Sequence, residues 1–139
     1  MKIIGSLLAS KKDGTGQVDT LQVITKTINI ENPTNSEDLN LFFTDVPLKV
    51  ESIRGIVRGS GTPSIRVDLR HSTDRSEDSG TSHQIVGFYE LINNTTTGQD
   101  LDVTGDATIP VNSWVWIETI EKNGTVNELG LTLRLTEDP

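Results

Sequence analysis

Cysteine is absent from the chain. Disulfides and thiolate-ligated metals are therefore excluded, and a small secreted disulfide scaffold is disfavoured. Aromatic residues are scarce, at 4%. Only 33% of the 139 residues are hydrophobic, and no apolar run approaches the length that spans a bilayer. Basic residues are outnumbered: twelve Lys and Arg face twenty Asp and Glu, for a net charge of −8. This balance, with no run of Lys or Arg, opposes the basic face that neutralises phosphates, and an acidic surface repels DNA and anionic membranes. The motif inventory is equally bare. There is no P-loop, no G-x-G-x-x-G after a strand, no G-x-S-x-G and no H-E-x-x-H.

What remains fits one domain. The start, Met1 to Ser10, resembles a signal peptide only superficially, because Gly5 and Ser6 interrupt its apolar residues. It reads as an N-terminal arm or a first strand. Residues 11–19 are polar and contain glycine, which gives a division into a flexible arm over 1–19 and one β domain over 20–139.

The dominant pattern is period two, punctuated by Gly, Pro, Asn and Asp. Strands are expected over 20–30, 39–43, 47–58, 65–70 and 84–92, with a short one at 101–103. A bulge near Glu51-Ser52 or Gly55 is needed to restore phase in the third. Residues 59–63 read as a loop, and the polar stretch 72–82 as a mobile, exposed one. No segment has helical spacing. The expected fold is all-β: a two-sheet, jelly-roll-like sandwich of about eight strands.

Residues 111–120 and 128–136 flank Asn123-Gly124 and read as a closing hairpin. Leu129, Leu131, Leu133 and Leu135 form one buried face. A two-residue turn would pair Trp116 with Leu131 and Trp114 with Leu133. A three-residue loop with a bulge would instead pair Val115 with Leu131 and Ile117 with Leu129. One residue of slip exchanges the faces. The second register is preferred, since it turns Val115 and Ile117 inward and lets Arg134 stack on an indole. Trp114 and Trp116 then lie on the less buried face, either as a subunit interface with Arg134 or covered by another layer, a loop or the arm. Ile3 and Ile4 are further interface candidates.

The chemistry-bearing residues are few. His71 and His83 flank a loop and can approach each other at one end of a sheet, but lack partners for a metal or a catalytic triad. Asp74, Glu77 and Asp78, and separately Asp100, Asp102 and Asp106, are acidic groups without the EF-hand pattern. Asn94-Thr95-Thr96 and Asn123-Gly124-Thr125 match glycosylation sequons. No catalytic, cofactor-binding or metal-binding residue is assigned, and the chain is expected to be non-enzymatic.

Two stretches carry a resemblance. Residues 65–75 form a strand ending in His71-Ser72-Thr73-Asp74-Arg75, and residues 109–117 read Ile-Pro-Val-Asn-Ser-Trp-Val-Trp-Ile, followed by Asn123-Gly124-Thr125 and Leu129 to Leu135. Together they resemble small β-sandwich structural proteins of tailed bacteriophage virions, such as capsid decoration and fibre-associated proteins. The resemblance implies a place on the particle surface after assembly in the host cytoplasm. It implies contact with a major capsid protein or other virion protein, and three-fold assembly. The alternative is a receptor- or carbohydrate-binding domain of a tail fibre, stacking sugars on Tyr89 or the tryptophans.

Overall fold

Leu129, Leu131, Leu133 and Leu135 are buried, as their alternation requires, and they face a core shared by almost every strand. The computed structural model describes residues 23–77, 81–104 and 107–138. The arm over 1–19 lies outside the described residues, as do Ile3, Ile4, residues 20–22, Asp78 and Asp106. All regular structure among the described residues is β: β1 (Val23–Glu31), β2 (Asp38–Thr44), β3 (Leu48–Ser72), β4 (His83–Gln84), β5 (Glu90–Ile92), β6 (Gln99–Asp100), β7 (Thr108–Ile109) and β8 (Ser113–Glu137).

Two strands of 25 residues, β3 and β8, run antiparallel along their whole length, from Leu48 opposite Glu137 to Ser72 opposite Trp114. On the free edge of β8, β1 pairs with residues 128–136 and β2 with residues 113–118. On the free edge of β3, β4 and β5 pair with its second half, and β6 and β7 with its first. The result is one antiparallel ribbon, ordered β1/β2, β8, β3, β4 to β7.

Laid flat, a 25-residue strand spans ~80 Å, whereas a compact chain of 139 residues is only about 40 Å across. The ribbon is therefore doubled over. Its register shifts between Arg58 and Arg66 mark the fold line, where Gly61, Thr62, Glu121 and Gly124 all have positive φ. A Cβ on Gly124 would run into the Gly61 carbonyl oxygen, and one on Gly59 into that of Thr125, so only glycine permits so close a crossing. Doubling creates two layers of four strands. One contains β1, the C-terminal half of β8, the first half of β3, and β6 with β7. The other contains β2, the N-terminal half of β8, the second half of β3, and β4 with β5. Their inner faces, for example Ile53 and Leu131 against Ile65 and Ile117, form a single core. This is a jelly roll, as the alternation suggested.

Several expectations change. The 47–58 and 65–70 strands are one, and residues 59–63 are its bend rather than a loop. The bulge near Glu51 is present as a shift between Val50 and Ser52. The 84–92 strand is broken into β4 and β5, the expected strand at 101–103 is reduced to a bridge between Val103 and Val86, and the alternation did not reveal β7. The closing hairpin does not exist. Leu131 has Gly55 on one side and Ile28 on the other, and Trp116 has Arg70 and Asn40. With both edges occupied, the two halves of β8 have no backbone groups left to pair with each other.

Candidate interaction surface

Alternation along the second layer sends Val115, Ile117, Val67 and Leu69 into the core. It sends Trp114, Trp116, Glu118, Asp68, Arg70 and Ser72 to the opposite, outer face. That face is unusual in being partly sealed. Asp68, Arg70, Ser72 and Trp116 are all buried although they point away from the core.

Residues after β3 do the sealing. Ser72 hydroxyl donates to Glu77, and Asp74 accepts from both the amide and the hydroxyl of Ser76, which holds its carboxyl below the usual range. This compact turn aims Arg75 back across the sheet. Its guanidinium lies 4.3 Å from the centre of the Trp116 ring. The same group donates to Asn40 Oδ1 at 2.5 Å and is paired with Asp38, both on β2. The Trp116 indole N–H donates to Glu118 Oε2 at 3.0 Å, and the Tyr89 hydroxyl reaches Glu118 Oε1 at 3.5 Å. The described part of the 72–82 stretch is thus exposed at Thr73, Asp74, Ser76 and Thr81, as expected, but is tied to the sheet through Ser72 and Arg75.

Beneath it sits a buried ion pair. Arg70 Nε donates to Asp68 Oδ2 at 2.6 Å, and Arg70 Nη1 donates to Ser82 Oγ at 3.1 Å. Asp68 Oδ1 has no hydrogen-bond partner among the described residues. Burial pushes the Asp68 carboxyl above its ordinary value, against the opposing pull of Arg70. Burial likewise raises the Tyr89 phenol.

Beyond this stretch the same face opens. Phe43 and Trp114, register partners on β2 and β8, meet at a tilt of 58° with centroids 4.9 Å apart and remain 46% and 36% exposed. Phe88, at 66%, is exposed beside Tyr89, which it meets edge-on at 4.5 Å.

The sequence-based candidates therefore separate. Trp114 is on the surface, whereas Trp116 is fully buried by a loop, so the two do not form one exposed patch. Arg134 is exposed in the other layer, opposite Thr25 and Ser52, and it stacks on neither tryptophan; Arg75 takes that role. Alternation could not locate Arg75, because it follows the strand and returns only through the Ser72–Glu77 turn.

His71 and His83 do meet, as register partners with stacked rings 5.1 Å apart. Among the described residues no three His, Asp or Glu converge as a metal site. The acids act singly: Asp100, for instance, pairs with Arg54 at 2.8 Å. Asn94 of the first sequon accepts three backbone N–H groups, from Thr96, Thr97 and Gly98, and so shapes the crossing between layers.

No protein-family model matches the chain, and no curated protein does. Among solved structures it is similar to a chain of the cyanophage Pam1 capsid asymmetric unit, at 15% identity and TM-score 0.41, covering 96% of this chain and 94% of that one. It is also similar to a chain of the infectious bursal disease virus Gx strain, at 14% identity and TM-score 0.40. A third similarity is to infectious bursal virus-derived T=1 particles, at 15% identity and TM-score 0.39. The chain spans 33% of the Gx-strain chain that it matches.

Proposed function

We propose that the chain is a non-enzymatic structural protein of a virion, decorating or cementing a phage capsid surface as a trimer. The observation that carries this reading is the exposed Phe43–Trp114 pair. Two aromatic rings on paired strands, next to a face locked by Arg75, form a rigid anchor that loses little entropy when a protein partner covers it. The acidic charge suits an outward position, away from packaged DNA. The resemblance of residues 65–75 and 109–117 to phage virion proteins points the same way. In this reading residues 20–139 are the docking body, and residues 1–19 an arm that engages a neighbour on the particle.

The test is a Phe43→Ala, Trp114→Ala variant, measured for solution mass and for copies bound per purified particle. The reading expects a folded chain with lost occupancy and a lower oligomer mass. Unchanged occupancy and mass would reject it.

Phe88 gives a specific basis for the second reading, a receptor- or carbohydrate-binding domain of a tail fibre. An exposed ring beside Tyr89 and polar loops is a stacking platform for sugars. Few copies per particle, together with glycan binding abolished by Phe88→Ala, would favour it.

A further inference from the structure

Phe88 is the most exposed large apolar side chain among the described residues, at 66%. It stands on the short connection between β4 and β5, which is tied at several points. The Gly87 N–H donates to the Asp102 carbonyl at 3.1 Å, Glu90 Oε1 accepts from the Asp102 N–H at 2.8 Å, and Arg66 Nη1 donates to the Tyr89 carbonyl at 3.1 Å. Tyr89 has φ +52, a conformation that a bulky residue keeps only where its surroundings impose it. Phe88 is thus a preorganised projection, and it loses little further freedom when a partner covers it. Glu90 and Asp102 make its base acidic.

The outer face of the other layer holds a depression of about 180 Å³, with Thr27, Ile56, Gly130 and Thr132 among its lining residues. It exists because residue 130 is glycine: a Cβ there would stand 3.2 Å from both Asn29 Oδ1 and Ile56 Cγ2. A cavity of about 150 Å³ accepts benzene, so the depression is the size of a phenyl ring. Its rim carries Arg54, paired with Asp100, and Arg134 follows Thr132 on the same face. A basic rim complements an acidic base around the projection.

Both features flank the edge where the chain crosses from β5 to β6, since Thr97 and Gly98 of that crossing also line the depression. They nevertheless face opposite ways. Phe88 meets Tyr89, whose hydroxyl reaches Glu118 on the outer face of the second layer. One copy therefore cannot present both features to the same neighbour. Contact between them is head-to-tail, and such contacts close into a ring when the rotation between copies divides a full turn.

We infer that Phe88 of one copy seats in the depression over Gly130 of the next, and that this contact closes the trimer. The inference rests on the three-fold assembly proposed above and names a contact within it.

Phe88→Ser removes the projection, and Thr27→Trp fills the depression. Both native side chains are exposed, so the fold should survive, and denaturant midpoints check that it does. Light scattering over a dilution series reads the assembly. Wild type and Phe88→Trp are expected to have the mass of three chains. Phe88→Ser and Thr27→Trp are each expected to need a roughly tenfold higher concentration to reach it. An equimolar mixture of these two variants retains one intact contact and is expected to form pairs where neither variant does alone. Wild-type assembly by either variant, or a mixture that pairs no better than its components, would overturn the inference and leave the three-fold reading standing. A wild type that is monomeric throughout would reject that reading and the contact with it. A wild-type mass that rises without limit would reject closure into a ring.

Discussion

Arg75 lies over the indole of Trp116, 4.3 Å from its ring centre, and so closes the outer face of the second layer with a residue from the turn that follows β3. A desolvated cation–π contact of this kind contributes about 1–2 kcal/mol. Arg75→Ala is therefore expected to lower stability by about that amount. Acrylamide should then quench a second tryptophan, because Trp116 becomes accessible. Arg75→Lys should restore only part of the protection, since an ammonium group cannot hold Asp38 and Asn40 while lying flat on the ring.

The two tryptophans should respond unequally to truncation. Trp116 is fully buried, and Trp116→Ala is expected to cost about 3–5 kcal/mol in denaturant unfolding. Trp114 is partly exposed, and Trp114→Ala should cost about 1 kcal/mol, the worth of its tilted ring contact with Phe43. Denaturant midpoints of the two variants compared side by side check both expectations.

Asp68 should leave a mark on the pH dependence of stability. Its carboxyl is raised by burial, so the folded chain binds that proton more tightly than the unfolded chain does. The stabilising contribution is full below the unfolded value, about 3.9, and is lost as pH rises through the raised folded value. Asp68→Asn has no such titration. The melting-temperature difference, wild type minus variant, should therefore grow as pH falls from 7 toward 4. A constant difference across that range would count against the raised value.

The fold line offers a backbone test. Gly124 has φ +66 and abuts the Gly61 carbonyl, so Gly124→Ala meets both strain and collision. A loss of about 2 kcal/mol or more is expected from equilibrium unfolding.

The pattern set by local alternation is legible in the sequence. Ile65, Val67 and Leu69 alternate because one face meets the core, and the four leucines of residues 129–135 do the same. Val115 and Ile117 turn inward, as their alternation with the tryptophans implies. The partner of each strand was not legible. Asn123-Gly124 has the chemistry of a hairpin turn, yet Gly124 serves a bend at which β8 crosses the Gly59–Gly61 segment. Nothing local distinguishes the two uses of positive φ. The same error placed Arg134 against the indoles, because its position followed from the assumed hairpin. Asp68 and Arg70 read as solvent-facing members of a half-buried strand. Their burial involves Ser82, twelve residues on, returning to Arg70, a non-local event. Their spacing of two residues did hold a usable signal, since opposite charges at i and i+2 share one face of a strand.

The doubled ribbon also has a consequence for biosynthesis. Both layers are completed by β8, the last strand in the sequence, and its pairings with β3 join residues as distant as Leu48 and Glu137. No early segment can close either layer by itself. Such a topology folds slowly, over milliseconds to seconds, because long loops must be closed before contacts repay their cost. A nascent chain arrested before residue 113 should accordingly remain protease-sensitive throughout, and protection should arrive in one step once β8 has left the ribosome.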